Sequence, residues 1–173
     1  MLVDMLTSRR SIRSYKSIPV AEASVKALLT AGLASASSRA IRPWELIAVD
    51  EPELLDALSR AKKHGSSFLS RAPLALVVLG IPSESDVWIE DTAIASSNIL
   101  LAAHDLDLGA CWIQIRLREA SDGRSSESYV RSVLSIPDSR SVESIIAVGY
   151  PDESPEGYRT EDLRWDKVHR NRY

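Results

Sequence analysis

The chain has a single cysteine, Cys111, among its 173 residues. One thiol cannot close an intrachain disulfide, and it excludes cysteine-rich zinc sites and CxxC redox pairs. A reducing, cytoplasmic setting is the resulting expectation. His64, His104 and His169 stand apart in the sequence, none at metal-ligand spacing with another, so no metal centre is expected. There is no run of about 18 uncharged apolar residues, which argues against a membrane-spanning helix. The opening MLVDMLTSRRS lacks the long apolar core of a signal peptide. Also missing are G-x-G-x-x-G after a strand, G-x-x-x-x-G-K-[ST], H-E-x-x-H and G-x-S-x-G. These absences exclude the Rossmann dinucleotide fingerprint, the P-loop, the zincin helix and the nucleophile elbow. The 26 serines are scattered, with no internal repeat or low-complexity tract.

What is present is an ordinary globular composition, 45% apolar and 26% charged. A chain of this size buries about 70% of its unfolded surface, so one domain over residues 1–173 is expected. The charges are unevenly placed. Residues 1–44 carry seven basic groups (Arg9, Arg10, Arg13, Lys16, Lys26, Arg39, Arg42) and two acidic ones (Asp4, Glu22), leaving the rest of the chain at −8 and the whole at −3. The acidic total argues against a protein that coats nucleic acid. The positive block at the N-terminal end needs its own account.

Hydrophobic periodicity predicts helices over 2–8, 21–34, from Pro52, over 86–107 and over 125–134. Strands are predicted over 44–50, 74–80, 110–115 and 142–149. The run LALVVLG at 74–80 is continuously apolar, the pattern of a strand covered on both faces. Helix 86–107 is apolar on nearly every side in its middle and reads as central and buried. Residues 35–43, rich in Ser and Arg and closed by Pro43, read as a loop. Cys111 reads as a core thiol. The tail from 152 to 173 has little core of its own and is expected to pack on something else, a partner subunit being the candidate.

Within the basic block, Arg9, Arg10, Ser11 and Arg13 form one Arg/Ser cluster. Ser37, Ser38, Arg39 and Arg42 form another. Guanidinium forks and hydroxyls in turns suit a phosphate or carboxylate. A solvated basic face, or salt bridges to the acidic remainder, is the other reading of the same residues.

Five segments in order carry a family likeness: Arg9-Arg10-Ser11-Ile12-Arg13-Ser14-Tyr15; Ser37-Ser38-Arg39-Ala40-Ile41-Arg42-Pro43-Trp44; Glu90-Asp91 leading to Ala95-x-x-Asn98-Ile99-Leu100-Leu101-Ala102-Ala103; Leu108-Gly109-Ala110-Cys111-Trp112; and Val148-Gly149-Tyr150-Pro151. The chain resembles the nitroreductase family of FMN-dependent oxidoreductases, as a short member. It departs from the family pattern at Ala36, Ala40 and Arg42, where Pro, Asn and Gln are usual. The resemblance implies an α+β fold: a three-layer α-β-α sandwich with a mixed, mainly antiparallel sheet and a C-terminal tail exchanged between the subunits of a homodimer. It implies FMN at the dimer interface, NAD(P)H as electron donor and a small acceptor such as a nitroaromatic or quinone, reduced in ping-pong order. Neither a nucleic-acid nor a membrane partner is implied. By the same resemblance, Arg9, Arg10 and Ser11 hold the phosphate and ribityl end, Arg13 lies towards the pyrimidine edge, and Ser37, Ser38 and Arg39 reach in from the other subunit. Arg164 is a further phosphate ligand, with Arg159 as a weaker one, and Ile113 and Gln114 lie nearest the ring. Flavin N5 does the chemistry, and Arg42 or Arg13 supplies electrostatic stabilisation. The alternative is a flavin-binding carrier or redox sensor without efficient turnover.

Overall fold

The computed structural model describes residues 1–173. The element order is α1 (Leu2–Ser8), α2 (Glu22–Leu33), β1 (Trp44–Val49), α3 (Pro52–Ser59), β2 (Leu74–Gly80), α4 (Trp88–Asp105), β3 (Gly109–Gln114), α5 (Ser126–Leu134) and β4 (Ser141–Gly149). The periodicity boundaries hold to within two residues wherever both ends were predicted. Short 3-10 turns, such as Ser67–Arg71, fill the connections.

The apolar run of β2 takes the centre of the sheet, and all seven of its residues are buried. The strand order is β1-β2-β4-β3, every pairing antiparallel. The sole parallel pairing is an isolated bridge between Ser11 and Ala110. Because side chains alternate across a strand, each strand feeds two cores. Ala75, Val77 and Leu79 of β2, with Ile145 and Ala147 of β4, face α3, α5 and the Ser67–Arg71 turn. Leu74, Leu76, Val78, Ile146 and Val148 face α2 and α4. The result is the expected α-β-α layering.

Helix α4, contrary to expectation, is not buried on all sides. Asp91, Thr92, Ala95, Ser96, Ile99 and Ala103 are enclosed against the sheet and α2, but Ile94 is 42% exposed and Ser97 is exposed one turn on. Its outer stripe has no covering element within the chain. Helix α1 likewise buries no residue, and every residue from 152 to 173 is exposed. The start of that tail is nonetheless held by its own chain: the Asp152 amide donates to the Ser14 carbonyl at 2.9 Å and the Tyr158 amide to that of Thr7 at 2.8 Å. No helix is long and apolar enough to cross a membrane.

Candidate functional site

After α1 the chain turns extended at Arg9 and runs beside the outer edge of β3. The Ile12 amide donates to the Ala110 carbonyl at 3.1 Å, and the Lys16 amide to Tyr150 at 2.9 Å. Ile12 and Tyr15 are buried anchors, and the Tyr15 hydroxyl donates to the Ile12 carbonyl at 2.5 Å. Burial drives the Tyr15 phenol far above its ordinary range, so it stays neutral. Gly109 makes this close approach possible: a Cβ there would lie 2.7 Å from Ile12 Cγ2 and 2.8 Å from Ile12 Cβ. The Arg-bearing segment is thus pressed against the sheet by two apolar side chains, Arg9, Arg10 and Ser11 being half-buried and Arg13 exposed.

Arg9 is half-buried, and its Nη1 is fully enclosed without a hydrogen-bond partner. An enclosed guanidinium nitrogen with nothing to donate to is costly; an anion would satisfy it. Arg10 donates to the Glu156 carbonyl and sits 4.7 Å over the Tyr158 ring, so the tail already engages it. The Arg13 guanidinium projects outwards, while the Arg13 and Ser14 amides donate to the Glu153 carboxylate. A cavity of about 210 Å³ opens here, bounded by Ser8, Arg9, Arg10, His104, Asp107 and Glu153 among others. Within it the Ser8 hydroxyl and His104 Nε2 lie 2.8 Å apart. Nothing in the local sequence signals that pair, because its members are 96 positions apart.

The edge of β3 continues the site. Ala110 accepts from Ile12 on the outer side, so by alternation the peptide groups of Trp112 and Gln114 also face outwards, away from β4. From Gly109 to Gln114 this edge spans about 17 Å. Ile113 does not line it. That side chain is 1% exposed inside the core, and its backbone pairs with Ile145. Cys111 is buried as expected, and burial pushes its thiol up, away from a reactive thiolate.

The second Arg/Ser cluster lies at the other end of α4. The Ser38 amide donates to Asp91 Oδ1 at 2.8 Å, and the Arg42 amide to Ser37 Oγ at 2.8 Å. Arg39 pairs with Asp86 at 2.5 Å, while the Arg42 guanidinium is exposed and without a partner. The buried Asp91 also accepts from the Ser85 hydroxyl at 3.3 Å, and Asn98 Nδ2 donates to Ser35 Oγ at 2.8 Å, tying the loop's start to α4. Arg39, Ala40 and Arg42 have φ values of 53°, 55° and 54°, a left-handed conformation rare for residues with a side chain. Asp91 and His104, which anchor the two clusters, are thirteen residues apart on α4, about 20 Å. Within one chain the two clusters therefore do not meet. Arg159 and Arg164 meet neither: they pair with Asp162 at 2.7 Å and Asp166 at 2.6 Å, and every hydrogen bond of residues 159–173 stays within that stretch.

Glu143, beneath the end of β3, is a buried carboxyl that sequence reasoning missed. It is 4% exposed, its Oε2 has no partner, and its Oε1 accepts from Gln114 Nε2 at 3.2 Å. The signal was a lone carboxylate inside the apolar run VESIIAVG. Burial raises its pKa above the ordinary carboxylate range, partly offset by the Gln114 hydrogen bond and the Arg116 charge. A carboxyl raised on folding contributes its full stability at low pH and loses it as pH rises through the folded value. Glu143→Gln is therefore expected to gain stability relative to wild type as pH goes from 4 to 7. Urea midpoints across that range check this, and parallel curves for the two proteins would refute it.

Known proteins resemble this chain in sequence and in fold along nearly its whole length. A sequence model described as "Nitroreductase family" matches residues 6–65 and 59–150. A relative from Archaeoglobus fulgidus, named for NADH dehydrogenase/NAD(P)H nitroreductase activity, is 32% identical over 98% of this chain and 97% of its own. The solved FMN-dependent nitroreductase from Clostridium difficile R20291 superimposes with a TM-score of 0.96 at 44% identity, covering 99% of each chain. The NADPH:FMN oxidoreductase of Vibrio harveyi, solved with NAD+, shares the fold with a TM-score of 0.81 at 22% identity, over 99% of this chain and 77% of that one.

Proposed function

This chain belongs to the nitroreductase family and is an FMN-dependent NAD(P)H oxidoreductase, and from that premise we propose that it reduces a small acceptor, a nitroaromatic or a quinone, in ping-pong order at a site completed by a second copy of itself. The observation that carries the site is the enclosed, unpartnered Nη1 of Arg9 at the head of the open β3 edge. A phosphate beside Arg9, Arg10 and Ser11 satisfies it, and the outward peptide groups of Trp112 and Gln114 suit the polar rim of a flavin. The residues present therefore fit FMN. Bound there, FMN supplies hydride acceptance from the nicotinamide and onward electron transfer. The chain's part is to bind, orient and set the field. Arg13 would serve the pyrimidine edge of the flavin.

The homodimer rests on surface arithmetic. A monomer of 19.0 kDa exposes about 8,400 Å² by size scaling, whereas this chain exposes 9969 Å². Two chains hiding the excess would bury about 3,100 Å², in the range of obligate dimers. The surplus includes apolar side chains on α1, the outer stripe of α4 and the tail. A second copy would also bring its 37–42 loop to the Arg9 cluster, and its tail guanidiniums with it. Arg42, with its free guanidinium, would then face the ring where negative charge develops on reduction.

Arg42→Ala is expected to lower the flavin midpoint potential by about 30 mV, the two-electron equivalent of about 1.4 kcal/mol. Spectroelectrochemistry measures it, and an unaltered potential removes Arg42 from that role. The functional assignment as a whole is tested by the visible spectrum of purified protein before and after NAD(P)H. A flavin spectrum that bleaches with NAD(P)H and recovers with a nitroaromatic or quinone is expected. Protein that takes up no FMN refutes the assignment, and protein that binds FMN but turns over no acceptor is a carrier instead.

A further inference from the structure

Gln114 stands where the proposed flavin ring would run, and the role inferred for it rests on that flavin assignment. Its amide is almost wholly committed inside the chain. Trp112 Nε1–H donates to Gln114 Oε1 at 2.9 Å. Gln114 Nε2 donates to the Arg116 carbonyl at 3.3 Å and to Glu143 Oε1 at 3.2 Å. The orientation is forced by chemistry: an indole N–H can only donate and a backbone carbonyl can only accept, so Oε1 must face Trp112 and Nε2 must face Arg116. Both amide hydrogens are then spoken for, and one lone pair on Oε1 remains.

Glu143 is placed for this duty by an irregularity in β4. Val78 pairs with Ser144 and Leu79 with Val142, which leaves Glu143 as an extra residue in the ladder. Its carbonyl accepts from both the Ile115 and Arg116 amides, at 3.1 and 3.2 Å, and its side chain is turned under the end of β3. Bulges of this kind re-aim a side chain. Packing alone would favour an apolar residue here, because one carboxyl oxygen is enclosed without a partner. The neighbouring carboxylate Glu127 is engaged elsewhere, by Arg131 and the Val142 amide.

We infer that Gln114 offers a ligand an acceptor only, and that Glu143 is the positioning residue that keeps it so. The ligand chemistry selected is a ring N–H donor. The oxidised isoalloxazine has one, the imide N3–H; a donating amide would suit the ring carbonyls instead. Without Glu143, Trp112 and the Arg116 carbonyl still set the end-for-end orientation, but one amide hydrogen is released and stands as a donor beside the acceptor.

Flavin-free protein titrated with FMN and with N3-methyl-FMN, followed by flavin fluorescence, tests this. Wild type and Glu143→Gln, whose amide oxygen can still accept from Gln114, are expected to bind the methylated flavin about tenfold more weakly, the worth of one neutral hydrogen bond. In Gln114→Ala the ratio is expected to fall to about twofold or less; in Glu143→Leu, where the released amide hydrogen can meet a ring carbonyl of either flavin, it is expected to fall below the wild-type value. A ratio near one in wild type, or the same ratio in all four proteins, overturns the inference. A structural role alone would weaken both flavins equally and leave the ratio untouched. Glu143→Ala serves in place of the leucine variant if that one does not fold. Wild type that binds no FMN would overturn the flavin assignment itself, a result distinct from an unchanged ratio.

Discussion

Arg9→Ala combined with Arg10→Ala is expected to raise the FMN dissociation constant by about two orders of magnitude or more while leaving riboflavin affinity nearly unchanged. Hydrogen bonds to charged groups contribute about 1.5–3 kcal/mol each, and about 1.4 kcal/mol is tenfold in affinity. Riboflavin lacks the phosphate, so the comparison isolates that end of the ligand. It also controls for the tail, since Arg10 holds the Glu156 carbonyl and the Tyr158 ring, and loosening those contacts would weaken both ligands alike. Titration by flavin fluorescence decides the matter. Equal losses for both ligands would reduce the arginines to structural ties, and no loss for FMN would remove the phosphate site from this segment.

Deleting residues 159–173 is expected to convert the proposed homodimer to a monomer and to abolish FMN retention with it. That stretch makes no hydrogen bond outside itself, yet Leu163, Trp165 and Val168 are 38%, 59% and 66% exposed. An aromatic side chain alone buries about 150–250 Å² when covered, and a tail of this composition has no reason to stay on the outside. The core contributes nothing to it and loses nothing with it, so the truncated chain should still fold. Light scattering gives the mass and circular dichroism the fold. A truncated protein that remains a dimer with bound FMN would show that the tail serves neither purpose.

The fold was largely legible because its strongest signals are local. The β2 run LALVVLG, bounded by Pro73 and Gly80, has the pattern of a strand covered on both faces, and Ser125, which caps α5 by accepting from the Ser128 amide at 3.1 Å, stands where a helix start is read from sequence. The outer stripe of α4 was misjudged because Ile94 is apolar without being covered by its own chain; periodicity reports apolarity and not the identity of the covering surface. Within the site, the Arg9–Arg13 cluster was visible as charge. The Gln114–Glu143 pair spans 29 positions and depends on a ladder irregularity, and Ile113, expected beside the ring, has its side chain buried one step along the strand from Gln114. Contacts of that kind arise from register and leave no local trace.

The loop at 37–42 also bears on how a ligand would be gripped. Three of its residues sit in the left-handed region, each at a cost of about 1–3 kcal/mol, and the Ser37 hydroxyl and the Asp91 carboxylate pin the turn from either side. A flexible loop would surrender its conformational freedom each time a ligand arrived. This one has already surrendered it during folding, so the ordering entropy lowers the stability of the chain and leaves the binding step untouched. Pre-organisation of that sort preserves the association constant and makes the fold less stable.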